Sequence, residues 1–231
     1  MQELAQLADI IIADGGSTDG SVDLDFLKLN DVRALLVKTG PGRLSAQLRM
    51  AYAYALRQGY RGIVTVDGNG KDGVEAIPDF LRELDAGTDL AQGSRYAPGG
   101  RAVNTPLDRA LAIKLIHAPL ISLAAGFRYH DTTSGFRAYS RRFLLHPRVQ
   151  PFRDVFTDYE LLWYLNVRAP RTGHLTREVP ITRRYPDGGE VPTKISPWRG
   201  NLRVLSQTLR VVVGAYNPRG VAVSTDEGRR P

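Results

Sequence analysis

The chain is predicted to be an α/β protein with a mostly parallel central sheet, and three observations support this class. Short β-branched and aliphatic runs alternate with helical patterns over the first 100 residues. The 231 residues, of which 42% are hydrophobic, suffice for a buried core. Turns rich in Asp and Gly follow two of the runs, where ligands bind to parallel sheets.

Hydrophobic periodicity defines the elements of the first half. Four strands are predicted, over residues 9–13, 34–37, 62–66 and 89–92. Two helices are predicted, over residues 45–58 and 74–86. Ser45 is the expected N-cap of the first helix, and Gly59 stands at its C-terminal stop. This alternation favours βαβ units.

Beyond residue 100 the alternation gives way to longer apolar stretches. Residues 107–125 are predicted to be helical, with a break near Pro119. The remaining predicted elements are a strand over 136–139, a helix over 158–167, extended chain over 175–183 and an amphipathic helix over 201–216. Residues 1–200 are expected to form one domain, and residues 201–231 a helix with a disordered tail.

Composition and charge exclude several classes of protein. The absence of cysteine excludes disulfides, cysteine-based zinc sites and a thiol nucleophile. The net charge is +7, and 26 of the 31 basic residues are arginine, which favours anionic partners or reflects a genomic arginine bias. No nucleic-acid-binding motif is visible, so nucleic acid is not a predicted partner. Neither a signal peptide nor a spanning segment is visible, which favours the cytoplasm.

Two turns carry the candidate chemistry. Residues 67–73 match G-x-G-x-x-G, but the carboxylate of Asp67 would repel a bare pyrophosphate. A divalent ion held by Asp67 and Asn69 would remove this repulsion by bridging to a nucleotide diphosphate. Residues 14–21 offer carboxylates to a ribose or base. The alternative to ligand binding is a purely structural role for both segments, as capping turns.

Five segments together resemble the family 2 glycosyltransferases, especially the polyprenyl-phosphate sugar transferases similar to dolichol-phosphate mannosyltransferase. They are residues 9–21, 40–46, 64–69, 92–100 and 131–139, in the order that the family has them. The resemblance implies the GT-A fold, a Rossmann-like nucleotide-sugar domain. It also implies metal-assisted inverting transfer, with Mg²⁺ or Mn²⁺, from a UDP- or GDP-sugar to polyprenyl phosphate. The alternative acceptor is a saccharide hydroxyl in cell-surface polysaccharide synthesis.

The resemblance also implies roles for individual residues. The nucleotide-sugar donor is expected to contact Asp14, Gly16, Ser17, Asp19, Arg43 and Asp67. The metal is expected at Asp67 and Asn69, and the catalytic residues are expected to be Asp67, Arg95 and Arg137. The acceptor phosphate is expected at Arg95, Arg137 and Lys194. Asp158 is the candidate general base for a hydroxyl acceptor, because a phosphate oxygen is already anionic and needs none.

Three departures from the family pattern affect these expectations. Asn69 replaces the second Asp of the metal motif, and Gly15 replaces an Asp of the first turn. The family's first strand, with its Pro-x-x-Asn-Glu-like end, has no counterpart, so the domain is expected to lack it. A truncated, non-catalytic nucleotide-binding module is therefore a further alternative. A lipid acceptor would bring an apolar helix to the inner face of the membrane.

Overall fold

The computed structural model describes residues 5–186 and 199–219. The strands within these ranges are β1 (Ile10–Asp14), β2 (Val32–Val37), β3 (Gly62–Thr65), β4 (Leu90–Ser94), β5 (Arg101–Val103), β6 (Arg137–Ser140), β7 (Thr176–Pro180) and β8 (Thr182–Arg184). The helices are α1 (Leu24–Leu29), α2 (Leu44–Arg57), α3 (Ile77–Asp85), α4 (Leu107–Ala112), α5 (Ala118–Ala125), α6 (Arg141–Leu144), α7 (Glu160–Arg171) and α8 (Arg199–Val212). A 3₁₀ turn (Val74–Ala76) precedes α3, and a π-helical segment (Ile113–His117) joins α4 to α5.

The predicted α/β class is confirmed, but the largest sheet is mixed. Its strand order is β3-β6-β4-β7, in which β4 and β7 are parallel and β6 is antiparallel to both of its neighbours. Strand β6 begins at Arg137, opposite Thr65 and Gln92 near the carboxyl ends of β3 and β4. The chain has reached that edge through α4 and α5, so β6 must run back from it. Strands β3, β4 and β7 run in the same direction, so the sheet is mostly parallel as predicted, with β6 as the exception.

Two smaller parallel pairs complete the strand pairing in the described ranges, β1 with β2 and β5 with β8. The β1–β2 pair therefore shares no sheet hydrogen bonds with β3, whose residues are only half-buried, whereas β4 is buried throughout. The Gln47 amide on α2 donates to the Ala13 carbonyl, and the Tyr60 hydroxyl donates to the Asp9 carboxylate. Side chains thus attach this pair to the rest of the fold.

Helix α7 organises the main core. Leu161 and Leu165 are fully buried and belong to the same cluster as Tyr52 of α2 and Ile121 of α5. Burying each such side chain contributes roughly 1.5–3 kcal/mol. Ser45 is buried within the first turn of α2, where its hydroxyl donates to the Asp158 carbonyl (2.5 Å). The prediction of Ser45 as N-cap is therefore wrong, because tertiary packing takes its hydroxyl.

A smaller core lies between α3 and the mixed sheet. Phe80 and Phe136 stack there with ring centres 4.3 Å apart, and Ala91 and Val179 pack beside them. Across the described ranges, no helix is long and apolar enough to cross a membrane.

Candidate active site

The turn after β1 stabilises the negative charge of Asp14 with its own hydrogen-bond donors. Asp14 Oδ1 accepts from the Ser17 hydroxyl (2.6 Å), and Oδ2 accepts from the Gly16 and Ser17 amides (2.6 and 2.9 Å). The hydrogen bonds from Ser17 lower the pKa of Asp14 more than burial raises it. Gly16 has φ +97°, a backbone conformation that favours glycine. Asp14 is thus a fixed anion at the carboxyl end of β1.

The other predicted donor residues lie on exposed segments. Asp19 accepts from the hydroxyl and amide of Ser21, and these bonds lower the pKa of its carboxyl. Arg43 is exposed just before α2, and its amide donates to the Thr157 carbonyl (2.6 Å). The charges of Arg43 and Asp67 both act on the Tyr159 phenol, so both residues lie near Tyr159.

Asp67 follows β3 and its side chain is 34% exposed. Its carboxylate lies directly against Gly135, where an added Cβ would overlap it. The Thr65 hydroxyl donates to the Gly135 carbonyl (2.8 Å), which ties the 131–135 loop to the end of β3. Asp67 Oδ2 lies 3.9 Å from Arg183 Nη2. The predicted metal-binding carboxylate is therefore accessible and close to a cation.

Asp67 suits a divalent ion, whereas Asn69 gives weaker support. The Asn69 amide nitrogen faces Asp67 Oδ2 at 3.5 Å, and Asn69 Oδ1 accepts from the Lys71 amide at 3.2 Å. The described residues contain no group of three or more acidic or histidine side chains that could hold a metal. Mg²⁺ and Mn²⁺ are bound at nucleotide sites by one or two protein oxygens plus phosphate and water, and the carboxylate of Asp67 fits that pattern. The metal would neutralise charge on a departing diphosphate.

Four basic side chains gather around Tyr185, and we call Lys71, Arg95, Arg109 and Arg183 the cation cluster. Lys71 Nζ lies 5.3 Å from the centre of the Tyr185 ring. The guanidinium carbons of Arg109 and Arg183 lie 5.5 and 5.9 Å from it. Arg109 also donates to the phenolic oxygen (3.1 Å), and the charge of Arg95 acts on the phenol.

Burial and neighbouring charges shift the pKa values of three residues in this region. Desolvation lowers the pKa of Lys71. Desolvation raises the pKa of Asp72, although its 2.5 Å ion pair with Arg183 opposes the shift. Burial opposes ionisation of Tyr185, but hydrogen bonds from Arg109 and Arg183 and the charges of Arg95 and Arg183 lower its pKa to about 8. Perturbed groups that cluster in this way are typical of functional sites.

Several buried polar atoms of this region have no hydrogen-bond partner among the described residues. They are Asp72 Oδ1, Arg95 Nη1, Tyr96 Oη and Arg183 Nε. An unsatisfied buried group costs roughly 1–3 kcal/mol, so such atoms are rare in native cores. A polar ligand at the cation cluster would supply partners for such atoms.

The two arginines predicted to be catalytic lie in different settings. Arg95 Nε donates to Asp131 Oδ2 (2.6 Å), and its Nη2 donates to the Thr133 hydroxyl (3.0 Å), which leaves Nη1 for a ligand. Arg137 is fully buried. Its guanidinium donates to the carbonyls of Thr132, Ser134 and Leu162 and to Asn166 Oδ1. Direct substrate contact by Arg137 is thus contradicted, because packed protein acceptors occupy its donors.

Asp158 is also placed differently from the expectation. Its carboxylate is buried and accepts from Arg203 Nε (2.8 Å) and Gln207 Nε2 (3.1 Å), both on α8. The candidate base therefore anchors the C-terminal helix through Oδ2, which a cation and an amide both contact. Lys194, the third predicted acceptor ligand, lies outside the described residues.

The sequence reasoning did not select Lys71, Asp72, Arg109 and Tyr185 as site residues. They come from the turn after β3, the start of α4 and the end of β8, and only the fold brings them together. The one available signal was the density of basic residues beyond position 95.

The fold is that of the GT-A glycosyltransferases. Glucosyl-3-phosphoglycerate synthase from Mycobacterium tuberculosis, solved with Mn²⁺, UDP and phosphoglyceric acid, superposes with a TM-score of 0.59. The match covers 89% of this chain and 68% of that one at 16% identity. The same enzyme with phosphoglyceric acid alone gives a TM-score of 0.57 at 17% identity over 88% of this chain and 66% of that one.

In sequence the chain is similar to several polyprenyl-phosphate sugar transferases. It is 34% identical to polyprenol monophosphomannose synthase of Mycolicibacterium smegmatis, over 75% of the chain and 65% of the relative. It is 28% identical to undecaprenyl-phosphate mannosyltransferase of Micrococcus luteus, over 76% and 71%. It is 33% identical to dolichyl-phosphate hexose transferase of Haloferax volcanii, over 64% and 60%. The chain thus spans less than two thirds of the first and third relatives, and no protein-family model matches it.

Proposed function

We propose that the chain transfers a hexose from a nucleoside-diphosphate sugar to a polyprenyl phosphate. The observation that carries the proposal is the cation cluster, with its unpaired buried polar atoms, beside the accessible carboxylate of Asp67. A divalent ion at Asp67 binds the donor diphosphate, and the cation cluster binds a second anion, the acceptor phosphate. A transferase with two phosphorylated substrates needs both sites.

The donor side of the proposal rests on the carboxyl ends of β1 and β3. The turns after β1 contain four of the proposed donor contacts, Asp14, Gly16, Ser17 and Asp19. Arg43 and Asp67 both lie near Tyr159. The proposed donor is a UDP- or GDP-hexose with Mg²⁺ or Mn²⁺. Support comes from a GT-A relative that was crystallised with UDP and Mn²⁺, and from relatives named for mannose or hexose transfer.

The acceptor side favours a phosphate over a hydroxyl. A hydroxyl acceptor needs a general base, and the predicted base, Asp158, already accepts hydrogen bonds from Arg203 and Gln207. A phosphate monoester brings its own anionic oxygen and needs cations to hold it. Arg95 Nη1, Arg109 and Arg183 supply guanidinium donors, which suit phosphate geometry.

Two neighbouring helices present apolar side chains to solvent. Leu107 and Leu115, on α4 and the π-helical segment, are 74% and 70% exposed. Leu202 and Val213, on α8 and just beyond it, are 65% and 76% exposed. Helix α8 packs against α5, which continues the first helical segment. We infer that these side chains rest on the inner face of the cytoplasmic membrane, where a polyprenyl phosphate presents its headgroup.

The test is a transfer assay with purified chain, vesicles that contain a polyprenyl phosphate, and a panel of UDP- and GDP-hexoses with Mg²⁺ or Mn²⁺. We expect a hexosyl-phosphoryl lipid from one donor, and no product from Asp67→Ala. Asp79→Ala is the matched control, because Asp79 is paired with Arg82 on the surface of α3. Transfer to a free saccharide instead would establish the hydroxyl alternative. Saturable nucleotide binding by calorimetry without any transfer would favour the non-catalytic module.

A further inference from the structure

We propose that Tyr185 is a positioning residue for the cation cluster and makes its affinity for phosphate depend on pH. The protonated phenol holds Arg109 and Arg183 together, and the phenolate competes with the acceptor phosphate for them. This inference rests on the proposed function, because it assigns regulation to the proposed acceptor site.

The backbone fixes Tyr185 where three segments meet. Its amide donates to the Val103 carbonyl at the end of β5 (3.0 Å), and its carbonyl accepts from the Asn104 side chain (3.3 Å). The residue is 2% exposed, so the ring has little freedom to move. The hydroxyl accepts from Arg109 Nη1 at 3.1 Å. One side chain thus sets the distance between the first turn of α4 and the end of β8.

The charges that face Tyr185 are mainly positive. Arg109 approaches from α4, Arg183 from β8, and Lys71 from the turn after β3. The charge of Arg95 acts from the end of β4, and the neighbouring Tyr96 phenol is electrostatically coupled to Tyr185. Three carboxylates stand behind these four cations, and one of them, Asp131, pairs with Arg95 at 2.6 Å. Asp72 pairs with Arg183 at 2.5 Å, and Asp67 lies 3.9 Å from Arg183. The phenolate therefore forms within a net cationic environment.

The sign of the pH effect follows from this arrangement. With the pKa of Tyr185 at about 8, the phenol is neutral at neutral pH and the cluster keeps its full positive charge. Above that pH the phenolate cancels one unit of charge. An alkyl phosphate loses its second proton near pH ~6, so the ligand itself stays dianionic across this range. Affinity for phosphate must therefore fall as Tyr185 ionises, and bound phosphate must raise the pKa of Tyr185 by the same linkage.

The experiment is an ultraviolet titration of tyrosinate absorbance from neutral pH to about pH 9.5, with and without geranyl phosphate as the probe. We expect one of the ten tyrosines to titrate with a midpoint of about 8. Geranyl phosphate should move that midpoint up by about one pH unit, which corresponds to about tenfold weaker binding when Tyr185 is ionised. Calorimetry at the two ends of the pH range measures the same tenfold ratio directly.

Two variants test whether Tyr185 is the group that titrates. Tyr185→Phe keeps the ring but should lose the absorbance change and bind geranyl phosphate equally at both ends of the range. Tyr60→Phe, a matched change at a tyrosine that bonds Asp9 before β1, should behave as wild type. Absence of the transition in wild type, or persistence of the pH dependence in Tyr185→Phe, would overturn the proposal.

If Tyr185→Phe fails to fold, the wild-type midpoint with and without probe still decides the question. This measurement needs no sugar transfer. A midpoint shift without transfer would therefore sink the proposed function alone, whereas transfer without a midpoint shift would sink the role of Tyr185 alone.

Discussion

The turn after β1 and the cation cluster differ in how their charged side chains are stabilised. The negative charge of Asp14 is stabilised by amide and hydroxyl donors within three residues of it. The cluster draws on four distant segments and leaves Arg95 Nη1 and Arg183 Nε buried without partners in the described structure. A charge that its own turn satisfies is stable without a ligand, whereas the cluster becomes complete only with an anion. In the proposed function, the first region gives the donor site its shape, and the second supplies binding energy for the acceptor phosphate.

The largest expected effect lies between these two regions, at Asp67. Asp67→Ala removes the carboxylate that would hold the metal, and we expect at least about a thousandfold loss of transfer activity. Metal-dependent nucleotide binding, measured by calorimetry, should disappear with it. Asp79→Ala should leave both unchanged. Full metal-dependent binding in Asp67→Ala would show that the metal lies elsewhere.

The next effect separates a structural arginine from ligand-binding ones. Arg137→Ala would remove a buried guanidinium that donates to four acceptors and should destabilise the fold by about 4 kcal/mol in urea unfolding. Arg128→Ala, at an exposed position, serves as the control and should change stability by less than about 0.5 kcal/mol. A stable Arg137→Ala protein that has lost only its acceptor affinity would reverse our assignment.

Arg109 tests the acceptor half of the comparison. Arg109→Ala removes a guanidinium from the cluster and should raise the KM for polyprenyl phosphate by about 10–150-fold, because a charged hydrogen bond contributes roughly 1.5–3 kcal/mol. Steady-state kinetics should show the KM for the donor within about twofold of wild type. An equal rise in both KM values would mean that the two regions are not separate sites.

The smallest effect is expected at Asp158. Asp158→Asn weakens its pair with the half-exposed Arg203, so we expect about 1 kcal/mol of destabilisation and activity within about threefold of wild type. Thermal unfolding and the transfer assay measure these quantities. A drop of more than about a hundredfold in kcat would restore Asp158 as a general base and with it the hydroxyl acceptor.

Local features of the fold could be read from the sequence, whereas non-local ones could not. Strands β1 and β3 and the turns that follow them were predicted because apolar runs and Asp-Gly clusters act over a few residues. The direction of β6 depends on the path of α4 and α5 across the sheet, which periodicity does not encode.

The same distinction explains the outcome for individual site residues. Asp14 and Asp67 lie at strand ends, as their local pattern indicated. The contacts of Arg137 and Asp158 could not be predicted, because their partners, Asn166 and Arg203, are more than 25 positions away in sequence. Tyr185 was missed for a related reason, since an isolated tyrosine has no motif.

The attachment of the β1–β2 pair through side chains has a dynamic consequence. A layer without shared sheet hydrogen bonds can open while the rest of the protein stays folded, so its amides should exchange with deuterium sooner than those of β4. The donor turn is carried by this layer. Donor binding should therefore slow the exchange of the β1 and β2 amides with deuterium, so that slower exchange reports that the ligand is bound.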